Sequence, residues 1–251
     1  CKDFVKAGAI QGQTPSDVVA ASDITFSCVS DPQAAKEMVF GNCGVLREIR
    51  SNKGYVEMTS IDSETSQDIA EAIQLRGGRY LEAPVSGSKK PAEEGNLVIL
   101  AAGEKSLFED CGSCFQAMGK QSFFLGDIGN ASKSNLILNM ILGTTVGSLA
   151  EAMALTDRAG LSQKDLLEIL ELGSLSCPAV TEKGQAIVEG SFGTNMPLQH
   201  MQKDLRLALA IGDQLEQPLP LAATVNEVYK HAKRFGYGEH DVSAIYLRAR
   251  F

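Results

Sequence analysis

The periodicity of apolar residues changes once along this chain, near residue 130, and that change constrains the fold more than any other feature. Before it, short β-rich runs alternate with helical patterns that mostly end on glycine. The predicted strands are "ITFSCVS" (24–30), "GYVEMTS" (54–60), "RYLEAPVS" (79–86), "LVILAAG" (97–103) and "QSFFLG" (121–126). Because strands that alternate with helices form sheets covered by helices, this half predicts a largely parallel sheet.

After residue 130 the pattern is helical throughout. Residues 131–160 form one long helical pattern that is too apolar for a surface helix, so we expect it to run through the interior of the molecule or of an oligomer. Within it, Gly143, Gly147 and Ala150 permit another helix to approach closely. Ser162 is placed to cap the next helix. The sequence therefore predicts an α/β domain followed by an all-helical domain.

The composition argues against several functions. A net charge of −8 over 251 residues disfavours binding to nucleic acid through its phosphates, which needs a basic surface. No run of eighteen apolar residues is present, so we expect no membrane span. Six cysteines at irregular spacing indicate reduced, intracellular thiols. Cys111 and Cys114 form a C-x-x-C motif inside a helical pattern, where a packed helix face is favoured over a redox or metal site.

The long helix carries the first candidate site. At about 100° per residue, Asn135 and Asn139 lie on one face, and Gly143 continues the line. Lys133 precedes Asn135 by two positions and therefore points roughly 200° away from it. A hydrogen-bonded structural pair is the more usual role of two asparagines inside an apolar helix.

Two further segments are candidates. In the stretch "LEAPVSGSKKPAEEGNL" (81–97), a loop of small and polar residues that includes a glycine follows the end of a predicted strand. Such a loop can present backbone N–H groups to an anion, and an exposed turn is the alternative. In "QKDLRLALAIGD", Lys203 and Asp204 precede an apolar helical run, and a solvated charge pair is the alternative there.

Together and in this order, these segments resemble the β-hydroxyacid dehydrogenase family, which includes 3-hydroxyisobutyrate dehydrogenases and glyoxylate or succinic semialdehyde reductases. "EAPVSGSKKPAEEG" resembles its substrate loop, "GDIGNASKSNLILNM" its catalytic helix, "KDLRLALAIGD" its cofactor-side helix and "PLPLAATVNEVYKHAKRFGYGEHDVSAIY" its C-terminal end. The resemblance implies a Rossmann-like dinucleotide-binding domain over 1–129 and an all-helical, oligomer-forming dehydrogenase domain over 130–251. It also implies that the opening strand, glycine-rich fingerprint and second strand of the family are missing from this chain.

The same resemblance implies that a catalytic group is lost. In active members the helix reads lysine, three residues, asparagine, and the lysine exchanges a proton with the substrate oxygen during hydride transfer. Here the lysine position is Asn135, and the asparagine is kept as Asn139. An amide exchanges no proton near neutral pH, and losing a positioned acid removes a factor of about 10²–10⁴ in rate.

Other site positions follow from the resemblance as well. The substrate loop reads Ser86, Gly87 and Ser88 with Pro91, where active members often have two glycines after the serine. Met196 matches a position beside the substrate. The expected cofactor-side residues are Ser30, Asp31, Ser60, Lys203 and Asp204. Because the fingerprint is missing, we expect NAD(P) binding by this chain to be weak or absent.

"EDCGSCFQAMGKQSFFLG", "QKDLRLA" and "NEVYK" resemble a branch of the family found in chromatin factors, here as an invertebrate member. That resemblance implies a nuclear, catalytically inactive oligomerisation module, expected to be a homotetramer. Nucleosomes would be contacted through segments outside this chain, a PWWP module and a basic segment, in support of transcription. Two alternatives remain: an active NADPH-dependent glyoxylate or succinic semialdehyde reductase with water or Lys203 as proton source, and an NAD(P)-sensing binding module.

Overall fold

The structure is a computed structural model that describes residues 2–250. The chain divides into two units. The first runs up to Ser86 and resumes over Gly95–Ser132, whereas the second holds Gly87–Glu94 and the residues from Lys133 onward. The short segment Gly87–Glu94 therefore leaves the α/β half and belongs to the helical half.

The first unit is built on a six-stranded mixed sheet. Its strands are Ile24–Ser27 (β1), Gly54–Glu57 (β2), Arg79–Glu82 (β3), Val85–Ser86 (β4), Leu97–Gly103 (β5) and Gly119–Phe124 (β6). β1, β2 and β3 pair in parallel, β5 pairs antiparallel with both β3 and β4, and β6 pairs with β5 in parallel.

Three of the five strand pairs are parallel as predicted, but the prediction is wrong for the two pairs that β5 forms with β3 and β4. A parallel connection needs a crossover of about a dozen or more residues, usually a helix. Between β3 and β5 the chain instead forms the short strand β4 and a five-residue helix, Lys89–Glu93. The chain therefore turns back, so β5 runs antiparallel to β3 and β4, while β6 follows it in parallel.

Four of the five predicted strands end early or are interrupted, and among them β6 is Gly119–Phe124 where the pattern predicts 121–126. β1 and β2 stop at Ser27 and Glu57, because the loops that follow already lead into capped helices. The Asp31 and Asp62 carboxylates each accept a hydrogen bond of 2.8 Å from an N–H in the first turn of those helices. The predicted strand 79–86 is interrupted at Ala83–Pro84, since proline has no N–H for a sheet ladder.

Seven helices precede the long helix of the sequence pattern. They are Lys2–Lys6 (α1), Pro15–Ala21 (α2), Pro32–Phe40 (α3), Ser63–Leu75 (α4), Lys89–Glu93 (α5), Lys105–Asp110 (α6) and Gly112–Met118 (α7), with a 3₁₀ turn at Val45–Arg47. The helices of the first unit cover a core that includes the fully buried Tyr55, Ile69, Ile73 and Tyr80.

The second unit is helical, as predicted. Its helices are Asn130–Arg158 (α8), Gln163–Leu172 (α9), Pro178–Glu189 (α10), Leu198–Gln214 (α11), Pro220–Ala232 (α12) and Tyr246–Ala249 (α13), with a π-helical turn at Lys233–Tyr237 and a 3₁₀ turn at Val242–Ile245. α8 is the single long helix that the sequence indicates, and its first residues belong to the first unit. The Ser162 hydroxyl caps α9 by accepting from Asp165 N–H over 3.1 Å.

The small residues of α8 serve packing within the chain. A Cβ at Gly143 would lie 2.7 Å from Met201 Sδ on α11, and one at Gly147 would lie 3.0 Å from Val225 Cγ1 on α12. Ala150 is fully buried. The expected close approach of another helix is therefore made by the chain's own α11 and α12.

By length and composition, α8 is also the one helix in the described part of the chain that is apolar enough to cross a membrane. Interior helices of soluble proteins meet the same criterion. The sequence-based expectation of no membrane span therefore stays a prediction.

Candidate functional site

Asn139 and Asp204 are joined by a hydrogen bond inside the second unit. Asn139 Nδ2 on α8 donates to Asp204 Oδ2 on α11 over 2.8 Å. Asn135 lies one turn earlier on the same face of α8 and is fully buried. Because a carboxylate only accepts hydrogen bonds, the amide nitrogen of Asn139 must face Asp204 and its oxygen must face away.

The Asp204 carboxyl is almost completely buried, with 2% of its surface exposed. Burial raises the pKa of this carboxyl above its ordinary value, and the Lys203 ammonium, the Asn139 amide and His200 oppose that effect. Its second oxygen, Oδ1, lies 3.2 Å from Lys203 Nζ. Both oxygens of Asp204 therefore already have partners within the unit.

Lys203 and Asp204 are not the solvated charge pair that was one alternative for this segment. The Lys203 side chain is 12% exposed and contacts a carboxylate that is shielded from water. An ion pair at such a position is screened little by salt, and its two charges depend on each other. The contact from this pair to α8 is the hydrogen bond that Asp204 accepts from Asn139.

Lys133 lies on a different face of α8 from Asn135 and Asn139. It is half-buried and two residues before Asn135 in a regular helix. Helical geometry therefore directs it about 200° away from the Asn135 and Asn139 face.

The substrate-loop residues are divided between the two units. Ser86 ends β4 in the first unit, whereas Gly87 and Ser88 belong to the second. Gly87 has φ of +132°, a conformation that residues with a Cβ rarely adopt. Within the second unit, Lys89 N–H donates to the Asn195 carbonyl over 3.4 Å, so the start of α5 is attached to the segment before α11.

Two family models match the chain. The NAD binding domain of 6-phosphogluconate dehydrogenase matches residues 1–126, and the model described as NAD-binding of NADP-dependent 3-hydroxyisobutyrate dehydrogenase matches residues 129–248. The chain is a member of the β-hydroxyacid dehydrogenase family. This confirms the family and the two-part fold, a Rossmann-like part followed by a helical part, that the sequence motifs indicate.

The chain is also similar in sequence to part of the nuclear factor N-PAC from several animals. The cytokine-like nuclear factor N-PAC of Anopheles gambiae is 61% identical over 251 residues, which is 100% of this chain and 44% of that protein. N-PAC of Homo sapiens is 50% identical over 98% of this chain and 44% of that protein. The chain thus spans less than half the length of these relatives, and it is a dehydrogenase-like domain similar to theirs.

Among solved structures, a 3-hydroxyisobutyrate dehydrogenase from Salmonella typhimurium matches with a TM-score of 0.90. The match has 24% identity and covers 98% of this chain and 87% of that one. At this identity it shows the fold alone.

In this family member the expected cofactor-side residues of the first unit lie at one edge of the sheet. Ser30 and Asp31 follow β1, and Ser60 follows β2. Parallel neighbouring strands bring their carboxyl ends to the same edge, which is where dinucleotides bind in such sheets. Asp31 is held on both oxygens, by Ala34 N–H at 2.8 Å and by the Ser30 hydroxyl at 2.9 Å.

The described residues fit only part of a dinucleotide. A diphosphate is ordinarily bound by free N–H groups at a helix N-terminus. At this edge α3 and α4 begin with the Asp31 and Asp62 carboxylates, each of which already accepts from one N–H of the first turn and adds negative charge where a phosphate would bind. Carboxylates and hydroxyls of this kind suit the hydroxyl groups of a ribose better than a phosphate.

Sequence reasoning missed the buried Glu82, at the end of β3. Its Oε1 accepts from the N–H groups of Gly129 and Ala131 at 2.8 Å and of Ser132 at 3.3 Å. Its Oε2 accepts from the hydroxyls of Ser132 and Ser66. A carboxylate at a helix N-terminus is stabilised by the helix dipole, so Glu82 anchors the first turn of α8 to the sheet. The only sequence signal was a glutamate inside a strand.

Asp241 was missed too, and it orders the segment that contains Met196. Asp241 Oδ2 accepts from the N–H groups of Asn195 and Met196 at 3.2 and 3.1 Å and from Lys183 Nζ at 3.1 Å. Its Oδ1 accepts from Ser243. The resulting loop leads directly into α11 and therefore into Lys203 and Asp204.

The C-x-x-C motif lies where α6 ends and α7 begins. Cys111 is fully buried, Cys114 is exposed, and burial raises the pKa of the Cys111 thiol to about 11. A redox-active thiol has a lowered pKa, so this geometry favours packing. Within residues 2–250, no group of three or more His, Cys, Asp and Glu side chains is placed to hold a metal ion.

Proposed function

We propose that this chain is a non-catalytic β-hydroxyacid dehydrogenase module through which copies of a nuclear chromatin factor assemble. The observation that carries the proposal is the carboxamide at residue 135, where the family places a lysine, together with the Asn139–Asp204 hydrogen bond one turn later. Two amides and a carboxylate whose oxygens are both engaged provide no group that can transfer a proton to a substrate oxygen.

Neither nearby ionisable side chain replaces the lysine. Asp204 uses one oxygen for Asn139 and the other for Lys203, so a proton on it would break one of these contacts. The Lys203 ammonium is paired with Asp204 and lies on α11 rather than α8. Without a positioned acid, the expected rate is lower by about 10²–10⁴ than in an active member.

The direct test is NADPH oxidation with glyoxylate and with succinic semialdehyde, using the intact protein and its Asn135→Lys variant. We expect no turnover above background from the wild-type protein. The variant tests whether a lysine at this position is sufficient, and Asn135→Gln controls for the larger side chain. Wild-type turnover at the rate of active reductases would overturn the proposal and favour the reductase alternative with Lys203 or water as proton source.

Assembly is supported by an exposed stripe on α8. Its members recur with alternating spacings of three and four residues: Leu138, Ile141, Thr145, Ser148, Ala152 and Leu155. Leu138, Ile141 and Leu155 are 42%, 54% and 70% exposed. This spacing is the one by which two helices pack along a seam, and large exposed apolar side chains in a row mark interaction surfaces.

The same face of α8 borders a cavity of about 540 Å³. It is lined by Thr145, Ser148 and Ala152 of the stripe, by the loop Ser174–Cys177 and by Leu170 and Val180. A second copy of this chain would cover the stripe and fill the cavity, since like surfaces pair about a twofold axis in most oligomers. We propose a homotetramer, with this face as one of its contacts.

The nuclear and chromatin parts of the proposal rest on the relatives. N-PAC is named a nuclear factor in both species, and the acidic balance of this chain suits assembly rather than contact with DNA. We therefore place contact with nucleosomes, in support of transcription, in segments outside these 251 residues.

A second candidate function is dinucleotide sensing without turnover. It is favoured by the buried Lys203–Asp204 pair and by the polar loops that hold Ser30, Asp31 and Ser60. A rise in melting temperature of the intact protein with NADPH, in the absence of turnover, would support it. This chain alone should bind NADPH weakly, because the described helices at the expected edge of the sheet begin with carboxylates, which repel a diphosphate.

A further inference from the structure

Glu57 lies fully buried at the carboxyl end of β2. Its Oε1 accepts from the Thr59 N–H over 2.9 Å, and its Oε2 accepts from the Tyr55 hydroxyl over 3.1 Å. Thr59 Oγ1 in turn accepts from the Val29 N–H over 2.9 Å. A continuous line of hydrogen bonds therefore runs from one carboxyl group to both polar loops at this edge of the sheet, the loop after β1 and the loop after β2.

The titratable groups that face Glu57 are all acids. Glu82 is its register partner on β3, Tyr55 lies on its own strand, and Tyr80 is the register partner of Tyr55. From β1 the Ser27 hydroxyl faces Glu57 and Tyr55, and from α4 the Ser66 hydroxyl contacts both Glu82 and Tyr80. Two carboxyl groups thus share one buried region.

The two carboxyl groups accept different numbers of hydrogen bonds. Glu82 accepts from five donors, three of them N–H groups at the start of α8. Glu57 accepts from fewer, and burial raises its pKa above the ordinary value although Thr59, Tyr55 and Ser27 oppose this by hydrogen bonding to its charged form. Burial without a full set of donors therefore favours the neutral form of the Glu57 carboxyl.

We propose that Glu57 is a proton-linked positioning residue whose ionisation sets how firmly the loops after β1 and β2 are held. When its carboxyl releases its proton to solvent, Thr59 donates both its N–H and its hydroxyl to a full negative charge. Because the Thr59 hydroxyl uses its hydrogen for Glu57, the lone pairs of its oxygen accept from the Val29 N–H. When the proton returns, these charge-assisted bonds become neutral ones, which are roughly half as strong.

As the pH rises through the folded pKa of Glu57, the order of the loops after β1 and β2 should increase while the global stability of the protein falls. Because the pKa of Glu57 is raised in the folded state, its contribution to stability is present at low pH and is lost as the pH rises through the folded value. The two loops should become better protected over the same interval. A purely structural carboxylate would loosen the loops and destabilise the fold together.

The test is amide hydrogen exchange, read by mass spectrometry over about pH 4 to about pH 9 and corrected for the intrinsic pH dependence of exchange. It uses this chain and the intact protein. We expect the protection of Val29 and Thr59 to rise about tenfold with one common midpoint, while the melting temperature falls across that midpoint.

Three variants separate Glu57 from other causes. Glu57→Gln should abolish the midpoint at both amides. The control Glu64→Gln, which removes an exposed charge from the first turn of α4, should leave the midpoint in place. Thr59→Val should uncouple Val29 but leave the response of residue 59, and this arm tests the relay even if Glu57→Gln does not fold.

A wild-type protein without a midpoint, or a midpoint that survives Glu57→Gln, would overturn the proposal. So would a response at Val29 that persists in Thr59→Val. None of these measurements requires a bound nucleotide or turnover, so their outcome is independent of the proposed function of the module.

Discussion

Asn139 and Asp204 are 65 positions apart in the chain, and the amide of one meets the carboxylate of the other over 2.8 Å. This contact joins α8 to α11 and fixes which end of the Asn139 amide faces the carboxylate. Asn135, one turn earlier, is fully buried on the same face. This face of α8 therefore presents two carboxamides, one of which is hydrogen-bonded to the carboxylate of α11.

Replacing Asn139 by Asp would place two carboxyl groups at hydrogen-bond distance. Like charges raise each other's pKa in the folded state, so the pair favours folding at low pH and loses that contribution as the pH rises through the folded value. We expect Asn139→Asp to be less stable than wild type by about 1–3 kcal/mol at neutral pH, with the deficit shrinking in acid. Thermal melting at several pH values measures this.

The control for that experiment is Asn139→Ala, which removes the donor without adding a charge. Its stability loss should depend much less on pH than that of Asn139→Asp. If the two variants lose the same stability at every pH, the carboxylate of Asp204 is not ionised beside residue 139.

Helical periodicity predicted one side of this contact and could not predict the other. Asn135 and Asn139 stand four apart in an apolar helix, so their common face follows from 3.6 residues per turn. Nothing local in "QKDLRLALAIGD" indicates that Asp204 would be the buried partner, because the pairing depends on how α11 packs on α8. Long-range contacts of this kind are settled by tertiary packing.

Tertiary packing also decides which helix approaches the small residues of α8 and whether a glutamate inside a strand is buried, so the sequence alone could predict neither. Gly143 and Gly147 correctly predicted close helix approach, but a spacing pattern carries no information on whether the neighbour is the same chain or another copy. Glu57 and Glu82 each sit inside strand patterns, where a charged residue usually faces solvent. Their burial depends on donors from loops and from α8 that are distant in sequence.

Asp241 provides a second pH-dependent prediction, with the opposite sign. Burial alone would raise the pKa of Asp241, but hydrogen bonds from Met196 and Ser243 and the Lys183 ammonium outweigh it and lower the pKa below the ordinary value. Its contribution to stability is therefore present above the unfolded value, about 3.9, and is lost as the pH falls through the folded value.

The variant Asp241→Asn should cost about 3–5 kcal/mol at neutral pH, because it leaves Lys183 buried with a weakened partner. The difference from wild type should diminish in acid. Glu182→Gln is the matched control, since Glu182 contacts the same ammonium at 2.8 Å but is 46% exposed, and it should cost less than about 1 kcal/mol. Chemical denaturation as a function of pH distinguishes the two.

Thiol labelling tests the interpretation of the C-x-x-C motif. Cys114 is exposed, whereas Cys111 is buried with a pKa of about 11. Since the thiolate is the reactive form, iodoacetamide at neutral pH should modify Cys114 in the native protein and leave Cys111 unmodified until the protein is denatured. Rapid labelling of both native thiols, located by peptide mass mapping, would point instead to an accessible pair.

The last prediction tests assembly through α8. It compares a variant on the exposed stripe of this helix with a variant on the face that packs against α12. Ile141 is 54% exposed on the stripe, so Ile141→Glu should preserve the fold of each subunit while placing a charge in the proposed seam. Gly147 faces Val225 within the chain, so Gly147→Leu should overpack that contact and cost about 1–3 kcal/mol. Light scattering combined with thermal melting should therefore show a smaller oligomer with Ile141→Glu and a less stable oligomer of unchanged size with Gly147→Leu. An Ile141→Glu protein that keeps the wild-type mass at low micromolar concentration would exclude this face from the assembly.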